Sequence, residues 1–322
     1  MTELLKVQNI KKYFPVKKGL LQKTIGQVKA VDDVSFVLKK GETLGIVGES
    51  GCGKSTLGRA ILQLIEPTDG SVVYNDQNLA DMSYQEIRPI RKEIQMIFQD
   101  PYASLNSRKT VYQIISEPLK IHKIYNENSR SDIYNMLEKV GLSSEAAHRY
   151  PHEFSGGQRQ RIGIARALIL KPKIVIADEP VSALDVSVQA QVLNLMQDLQ
   201  ESMDLTYIFI AHDLSVVKHI STRVGVMYLG KMVELAEKRS LYDFPLHPYT
   251  KALLSVIPTP NRRHNKERII LSGDVPSPQN PPSGCVFHSR CPARMPICEK
   301  VQPQLRETLK RHLVACHLYN EE

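Results

Sequence analysis

Three apolar runs along the chain are typical of strands that are buried on both faces. They cover residues 42–48 (ETLGIVG), 173–179 (KIVIADE) and 206–213 (TYIFIAHD), and parallel strands show such continuous runs rather than alternation. Helical periodicity lies between them, over residues 157–169 and 186–201. This alternation of strands and helices predicts an α/β fold, in which helices cover a mostly parallel sheet.

The remaining segments before residue 170 predict two additions to that sheet. Residues 4–10 (LLKVQNI), 30–42 (AVDDVSFVLKKGE) and 70–76 (GSVVYND) alternate more between apolar and polar positions, with turn residues between them. Because antiparallel strands commonly expose one face, we expect these segments to form an antiparallel flank. Residues from about 100 to 170 have helical patterns and no convincing strand, which predicts an inserted helical subdomain.

The composition changes after about residue 240. Eleven of the nineteen prolines lie beyond this point, and the stretch GDVPSPQNPPSG cannot form a regular helix or a central strand. We therefore predict an α/β domain over residues 1–240, with its helical subdomain at about 100–170, and a small irregular C-terminal domain over 241–322. The second domain has few large apolar residues, so we expect it to need a staple.

Composition and charge narrow the function classes only a little. The 322 residues are 42% hydrophobic and 24% charged, which is typical of a globular protein. No apolar run reaches the roughly 18 residues of a membrane helix, and the charged N-terminal stretch does not look like a secretory signal. We expect a cytoplasmic protein with reduced thiols. The net charge of +8 suits nucleic acid or an anionic membrane, but an ordinary basic surface also explains it and is the preferred interpretation.

A phosphate-binding loop is predicted where the sequence reads GESGCGKST. The stretch fits G-x-x-x-x-G-K-[ST] after an apolar strand and before a helix, which is the context that this motif requires; a glycine-rich turn without a ligand is the alternative. Backbone amides and the helix N-terminus would hold phosphate oxygens, Lys54 would reach the β- and γ-phosphates, and the Ser55 hydroxyl would bind Mg²⁺. The predicted nucleotide-binding residues are Gly48, Ser50, Gly51, Cys52, Gly53, Lys54, Ser55 and Thr56.

Two acids end the apolar strand of the stretch IVIADEP. Asp178 at the strand's end is placed to hold Mg²⁺ through water, and Glu179 beside it is a candidate general base for an attacking water. The alternative is that both acids merely begin a loop before Pro180, and the phosphate loop elsewhere in the chain argues against it. Together the two motifs predict a site that binds and hydrolyses a nucleoside triphosphate.

The stretch FSGGQRQR, at residues 154–161, identifies the family that the chain resembles. With the two preceding motifs, it is similar to the LSGGQ signature of ATP-binding cassette (ABC) ATPases, with Phe154 in place of the leading leucine. The resemblance implies that this signature contacts ATP bound to the opposite subunit of a head-to-tail dimer. The signature residues predicted to bind that ATP are Ser155, Gly156, Gly157 and Gln158.

Further motifs of this family follow in the expected order. Gln99 in MIFQDP matches the glutamine that senses Mg²⁺ and the membrane partner, residues 182–185 (SALD) match the D-loop, and His212 matches the switch histidine that contacts the γ-phosphate. Phe14 matches the aromatic residue that stacks on adenine, and the neighbouring Tyr13 is the alternative. The resemblance therefore implies ATP and Mg²⁺ as ligands, with Ser55, Gln99 and Asp178 at the ion, and a hydrolytically competent site.

The region after residue 240 is similar to the C-terminal region of ATPases from oligopeptide and dipeptide importers. The resemblance implies an ATPase at the cytoplasmic face of the membrane, with a paralogous ATPase, two integral membrane permeases and an extracellular or periplasmic substrate-binding protein as partners. A nickel or metallophore importer of the same branch is an alternative. A non-transport ABC ATPase acting on nucleic acid is favoured only by the charge, and we expect no direct nucleic-acid contact.

Four of the five cysteines lie in this C-terminal region. Cys285, Cys291, Cys298 and Cys316 lack the closely spaced C-x₂₋₄-C pair of zinc knuckles, whereas four thiolates at wider spacing suit an iron–sulfur cluster. The resemblance implies the same, because some peptide-importer ATPases carry a four-iron [4Fe–4S] cluster in this region. Structural zinc, unliganded thiols and disulfides remain open alternatives.

Overall fold

The structure of the protein is a computed structural model that describes residues 2–19, 23–257 and 268–319. Its internal contacts divide the chain into two compact units. The first unit contains Lys39–Thr43 and Asp81–Ile210, and the second unit contains Glu3–Leu38, Leu44–Ala80 and the chain from Ala211 onward. Within the described residues, no helix is long and apolar enough to cross a membrane.

Twelve strands are found in the described residues. They are β1 (Glu3–Lys18), β2 (Lys23–Lys39), β3 (Thr43–Val47), β4 (Asp69–Tyr74), β5 (Gln77–Asn78), β6 (Ile94–Ile97), β7 (Ile174–Asp178), β8 (Thr206–Ala211), β9 (Arg223–Tyr228), β10 (Lys231–Glu237), β11 (Arg306–Leu309) and β12 (His312–Val314).

The same part of the chain forms ten α-helices, with short 3₁₀ turns between some of them. The helices are α1 (Lys54–Ile61), α2 (Tyr84–Glu93), α3 (Pro101–Ser104), α4 (Val111–Ile121), α5 (Ser129–Lys139), α6 (Gly156–Leu168), α7 (Val186–Met203), α8 (Leu214–Ile220), α9 (Lys238–Asp243) and α10 (Pro248–Ser255).

In the first unit, three parallel strands lie in the order β6, β7, β8. Every residue of β7 and β8 is buried, because a parallel strand in an α/β fold is covered on both faces. This burial explains why their sequences are continuous apolar runs. The α/β prediction and the predicted strands at 173–179 and 206–213 are therefore confirmed.

Between β6 and β7, the first unit consists of helices. Residues 101–168, all of which are described, contain α3 to α6 and no strand, so the predicted helical insertion is confirmed. Two of these helices start with a reciprocal capping box. Thr110 and Gln113 form the box of α4, and Ser155 and Gln158 form that of α6. Such boxes satisfy backbone donors that a helix start leaves unpaired.

In the second unit, two sheets carry the remaining strands. One sheet has the order β2, β1, β4, β5, and β1 runs antiparallel to β4, which confirms the predicted antiparallel flank. In the other sheet β3 pairs with β9 in parallel, and β9 pairs with β10 antiparallel. The fully buried β3 leads into the loop at residue 48, so this sheet positions the loop.

The C-terminal region packs against elements of the second unit that precede it. The stretch 268–284 forms no helix or strand in the described residues, as its prolines predict. Farther on, β12 adds to β10 in antiparallel register, pairing Val314 with Glu234. Phe287 is 1% exposed and its ring lies 5.1 Å from that of Tyr228. The boundary predicted at about residue 240 stays a prediction.

Candidate nucleotide site

The loop at residues 48–53 connects β3 to α1 and depends on glycine. Gly53 caps α1 with a φ of 102°, which belongs to the region that favours glycine. An ideal Cβ at Gly53 would lie 1.9 Å from the carbonyl oxygen of Ala30. Gly51 also has a positive φ, of 79°, but nothing lies within 4 Å of its ideal Cβ. The loop conformation therefore excludes a side chain at Gly53 for two separate reasons.

The Lys54 side chain folds over the loop that precedes it. Its Nζ donates hydrogen bonds to the carbonyl oxygens of Gly48, at 2.8 Å, and of Glu49, at 3.0 Å. Cys52 lies beneath, with its Sγ 3.8 Å from Lys54 Nζ, and burial raises the pKa of this thiol. Ser55 and Thr56 follow in the first turn of α1, where the amides of a helix N-terminus face outward from the helix.

Two residues that the motif analysis missed hold Glu49 of this loop. The Arg290 Nη1 lies 2.9 Å from Glu49 Oε2 and 3.2 Å from Oε1, and the Glu49 amide donates to the Tyr249 hydroxyl at 2.9 Å. Arg290 is 241 residues from Glu49 along the chain. The sequence did contain one signal for this contact. Glu49 is an acid inside a phosphate loop, and such an acid favours a cation nearby.

In the first unit, the structure brings Gln99 and Glu179 together. Gln99 Nε2 donates to Glu179 Oε2 at 3.1 Å. Asp178 is the last residue of β7 and is 1% exposed. Glu179 has a φ of 47°, a left-handed conformation that is uncommon for non-glycine residues. Its amide donates to the Ile210 carbonyl at 3.0 Å, so the next strand fixes this turn.

The signature residues begin α6. Ser155 is the N-cap, its Oγ accepts from the Gln158 amide at 3.3 Å, and Gln158 Oε1 accepts from the Ser155 amide at 3.0 Å. Both side chains are exposed. Gly157 packs so closely that an ideal Cβ would lie 2.4 Å from Val188 Cγ1, and for Gly156 the nearest atom would be Leu184 Cδ2, at 3.4 Å. Phe154 is 5% exposed, so it anchors the loop in the core.

The remaining sequence-predicted residues of the nucleotide site lie in the second unit. His212 is exposed directly after β8, and Asp213 caps α8 by accepting from the Ser215 amide at 2.7 Å. Phe14 on β1 is 39% exposed, and Lys12 Nζ lies 5.1 Å from its ring centroid. The neighbouring Tyr13 instead donates its hydroxyl to Asp32 Oδ1 at 2.5 Å. Phe14 thus offers the more accessible ring of the two.

The four C-terminal cysteines are free thiols, as is Cys52, and all five lie in the described part of the chain. The Cys285 amide donates to the Cys298 carbonyl at 2.7 Å. Burial, with a smaller contribution from the neighbouring thiols, raises the pKa of Cys285 and of Cys316 to about 11. Each of these two pKa shifts includes contributions from Cys291 and Cys298, so the four thiols share one neighbourhood.

These four thiols are not arranged to bind a metal ion in this structure. Among residues 2–19, 23–257 and 268–319, no group of three or more His, Cys, Asp or Glu side chains is arranged to hold a metal ion. Thiols with a pKa near 11 are protonated at neutral pH, and a metal would have to displace those protons. The donor set, four neighbouring thiols, fits the ligand type of an iron–sulfur cluster.

Comparison with known proteins agrees with this geometry. Residues 31–182 match the ABC transporter family, and residues 233–298 match the oligopeptide/dipeptide transporter C-terminal region. The chain is 60% identical over 321 residues, 98% of both chains, to the oligopeptide transport ATP-binding protein AppF of Bacillus subtilis. It is 54% identical to OppF of Salmonella typhimurium, covering 97% of this chain and 95% of that one.

Two solved structures share the fold at lower identity. One is a dimeric post-hydrolysis state of the ATP-binding cassette MJ0796 bound to ADP and Pi, with 29% identity and a TM-score of 0.65, covering 73% of this chain and 99% of that chain. The other is cbiO1 from Clostridium perfringens, part of the ABC transporter complex cbiONQ. Its identity is 26% and its TM-score 0.65, and the match covers 76% of this chain and 92% of that chain.

The chain therefore belongs to the ABC transporter family, as an ATP-binding cassette ATPase. Within that family it falls among the oligopeptide and dipeptide transport ATP-binding proteins, because the similarity extends through the C-terminal region that marks the group.

Proposed function

We propose that this chain is the subunit that binds and hydrolyses ATP to power peptide uptake by a multi-subunit importer. Similarity over 98% of the chain to a protein named for oligopeptide transport supports the peptide cargo. The observation that best supports ATP hydrolysis is the hydrogen bond from the Gln99 side chain to the Glu179 carboxylate, next to the buried Asp178. A general base must be held in a fixed orientation to accept a proton, and this contact orients Glu179.

The phosphate loop and β1 would bind the nucleotide. In this assignment, the phosphate oxygens of ATP replace the loop carbonyls of Gly48 and Glu49 as partners of Lys54, and the Ser55 and Thr56 positions add contacts from the helix start. The exposed Phe14 ring stacks on adenine, since stacking requires an accessible flat face. The Tyr13 hydroxyl is already bound to Asp32, which supports assigning Phe14 to this role.

Hydrolysis would depend on the residues of β7 and the loops that follow β6 and β8. Glu179 takes the proton of the attacking water while Gln99 holds its Oε2, and His212 contacts the γ-phosphate. Ser55, Gln99 and Asp178 offer oxygen atoms, the ligand type that Mg²⁺ prefers, and the bound ion would neutralise charge on the transferred phosphoryl group.

The partners follow from the same assignment. Ser155 and Gln158 are exposed at the start of α6, and Val186 beside the D-loop is 82% exposed. An exposed signature suits contact with ATP on a second ATPase, which we propose to be a paralogue in a head-to-tail dimer. Two permease subunits would form the translocation path, and a substrate-binding protein outside the membrane would deliver the peptide. The chain would then act at the cytoplasmic face.

We further infer that Cys285, Cys291, Cys298 and Cys316 hold a [4Fe–4S] cluster. The support is the shared neighbourhood of the four thiols, within which the Cys285 amide donates to the Cys298 carbonyl at 2.7 Å. Anaerobically purified protein should contain about four iron atoms per chain and lose them in Cys291→Ser, whereas Cys52→Ser should retain them. Stoichiometric zinc, or a chain free of metal after anaerobic purification, would overturn this inference.

The function is tested by reconstituting the chain with its transporter subunits in lipid vesicles. ATP-dependent accumulation of a labelled peptide should require the chain and should be abolished in Lys54→Ala. Lys40→Ala is the matched control, because Lys40 forms an exposed ion pair with Asp204 outside the loop. ATPase activity that responds to DNA or RNA but not to the permeases would contradict the proposal.

A further inference from the structure

Glu49 puts a carboxylate inside the phosphate loop, between Gly48 and Ser50. ATP brings several negative charges to such a loop, and like charges a few ångströms apart repel strongly where water is partly excluded. The Glu49 side chain is only 28% exposed, so solvent screens it incompletely. A phosphate loop with this acid therefore needs a cation that pairs with the carboxylate.

Arg290 supplies that cation from the C-terminal region. One guanidinium nitrogen, Nη1, contacts both carboxylate oxygens of Glu49, at 2.9 and 3.2 Å. The Arg290 side chain is 10% exposed, so the pair is more shielded from water than an ordinary surface ion pair. Both residues belong to the second unit.

The position of Arg290 is fixed by its own segment. The Arg290 amide donates to the Phe287 carbonyl at 3.0 Å within a 3₁₀ turn. Phe287 anchors the turn, with its ring 5.1 Å from that of Tyr228 and 5.3 Å from that of Tyr249. The guanidinium carbon lies 6.0 Å from the Tyr228 ring centroid. Arg290 is thus presented to the loop by a packed aromatic cluster.

The same cluster holds the backbone of Glu49. The Tyr249 hydroxyl, on α10, accepts the hydrogen bond of the Glu49 amide at 2.9 Å, and Tyr249 is fully buried. Glu49 is therefore tied at its amide by Tyr249 and at its carboxylate by Arg290. Two residues after position 240 thereby fix the position of Glu49 in the phosphate loop.

We propose that Arg290 is a positioning residue for ATP binding, which holds and neutralises Glu49 so that the phosphate loop accepts a triphosphate. The proposal rests on the proposed function, since it presumes that the loop binds ATP. Arg290 directly precedes Cys291, so the segment that carries the thiols and the phosphate loop are joined by this ion pair.

The test measures MgATP affinity of the purified full-length chain by calorimetry. Arg290→Gln should weaken binding about five- to tenfold, the effect of losing one partly shielded charge pair. The double variant Arg290→Gln/Glu49→Gln should recover most of the lost affinity, because the unpaired carboxylate is gone. Arg311→Gln is the matched control, since Arg311 pairs with Glu237 outside the loop and should leave affinity unchanged.

A second measurement separates positioning from general structural damage. In the reconstituted transporter, Arg290→Gln should raise the KM for ATP and leave kcat within about twofold, since Arg290 touches no reacting atom. Equal MgATP affinity in wild type and Arg290→Gln would overturn the proposal, as would equal weakening in the single and double variants. If wild type itself binds no MgATP, the proposed function fails rather than this inference.

Discussion

Gln99 and Glu179 are 80 residues apart in the chain, yet the Gln99 amide nitrogen donates a hydrogen bond of 3.1 Å to the Glu179 carboxylate. Gln99 follows β6 and Glu179 follows β7, and these strands are parallel neighbours. The carboxyl ends of parallel neighbours lie at the same edge of a sheet, which is where α/β proteins bind their ligands. The sheet topology therefore accounts for the contact between the two residues.

Gln99→Ala should lower kcat for ATP hydrolysis about tenfold or more, because Glu179 loses a hydrogen bond to its charged group. MgATP affinity should fall as well, because Gln99 is one of the three residues proposed to hold Mg²⁺. Phosphate release by the reconstituted transporter measures the first quantity and calorimetry the second. Gln95→Ala, on the same strand β6, should leave kcat unchanged. A kcat in Gln99→Ala equal to that of wild type would show that the contact does not orient the base.

Gly53→Ala should abolish MgATP binding, because a Cβ at this position meets the Ala30 carbonyl at 1.9 Å and the φ of 102° is strained for alanine. Gly41→Ala is the matched comparison, since Gly41 lies outside the loop and has a positive φ, of 74°, with no atom within 4 Å of its ideal Cβ. We expect Gly41→Ala to cost about 1 kcal/mol of stability and to retain binding. Equal binding by both variants would contradict the steric account of the loop.

Ser155→Ala should separate the structural role of the signature serine from its role at ATP. Loss of the N-cap lowers the free energy of unfolding by about 1 kcal/mol. Thr110→Ala removes the matching cap of α4, where the Gln113 amide also lies 3.3 Å from the capping oxygen, and should cost a similar amount. Transport-coupled hydrolysis should fall only in Ser155→Ala. If the two variants hydrolyse ATP equally, the signature assignment is wrong.

His247 should make the chain less stable in mild acid. Burial lowers the pKa of His247 from 6.5 to about 4, while Glu234 opposes the shift and Lys251 adds to it. Between these two pH values the unfolded chain binds a proton that the folded chain does not, so stability is full above pH 6.5 and falls as the pH approaches 4.

Urea unfolding at several pH values checks this expectation. His247→Asn keeps an acceptor for the Tyr249 amide, which His247 Nδ1 now holds at 3.1 Å, and it cannot titrate. From pH 6.5 to pH 4 the free energy of unfolding should fall in both proteins. The fall in His247→Asn should be smaller than that in wild type by at least about 1 kcal/mol. Parallel curves for the two proteins would rule out His247 as the source.

The sequence predicts the parts of this molecule that depend on local pattern. The buried strands β3, β7 and β8 are continuous apolar runs because both of their faces are covered, and the phosphate loop is recognisable because all its parts lie within nine residues. The contact that distinguishes Tyr13 from its neighbour Phe14 could not be predicted, because the Tyr13 hydroxyl meets Asp32 only in the folded chain.

The contacts of the C-terminal region were not predictable for a related reason. Its own apolar residues are few, which suggested a need for a staple, but Phe287 packs on Tyr228 and Tyr249, outside its segment. Likewise, Glu49 and Arg290 form an ion pair across 241 residues. Neither pattern is visible in the sequence near these residues, because both depend on tertiary packing.

The most direct test of the account is phosphate release from MgATP by the reconstituted transporter, with wild-type chain and with Glu179→Gln. Removing the general base should lower kcat at least about a hundredfold while MgATP affinity stays within about twofold, since the amide is nearly isosteric with the carboxylate. Hydrolysis by Glu179→Gln at the wild-type rate would contradict the claim that Glu179 activates the attacking water in this ATPase.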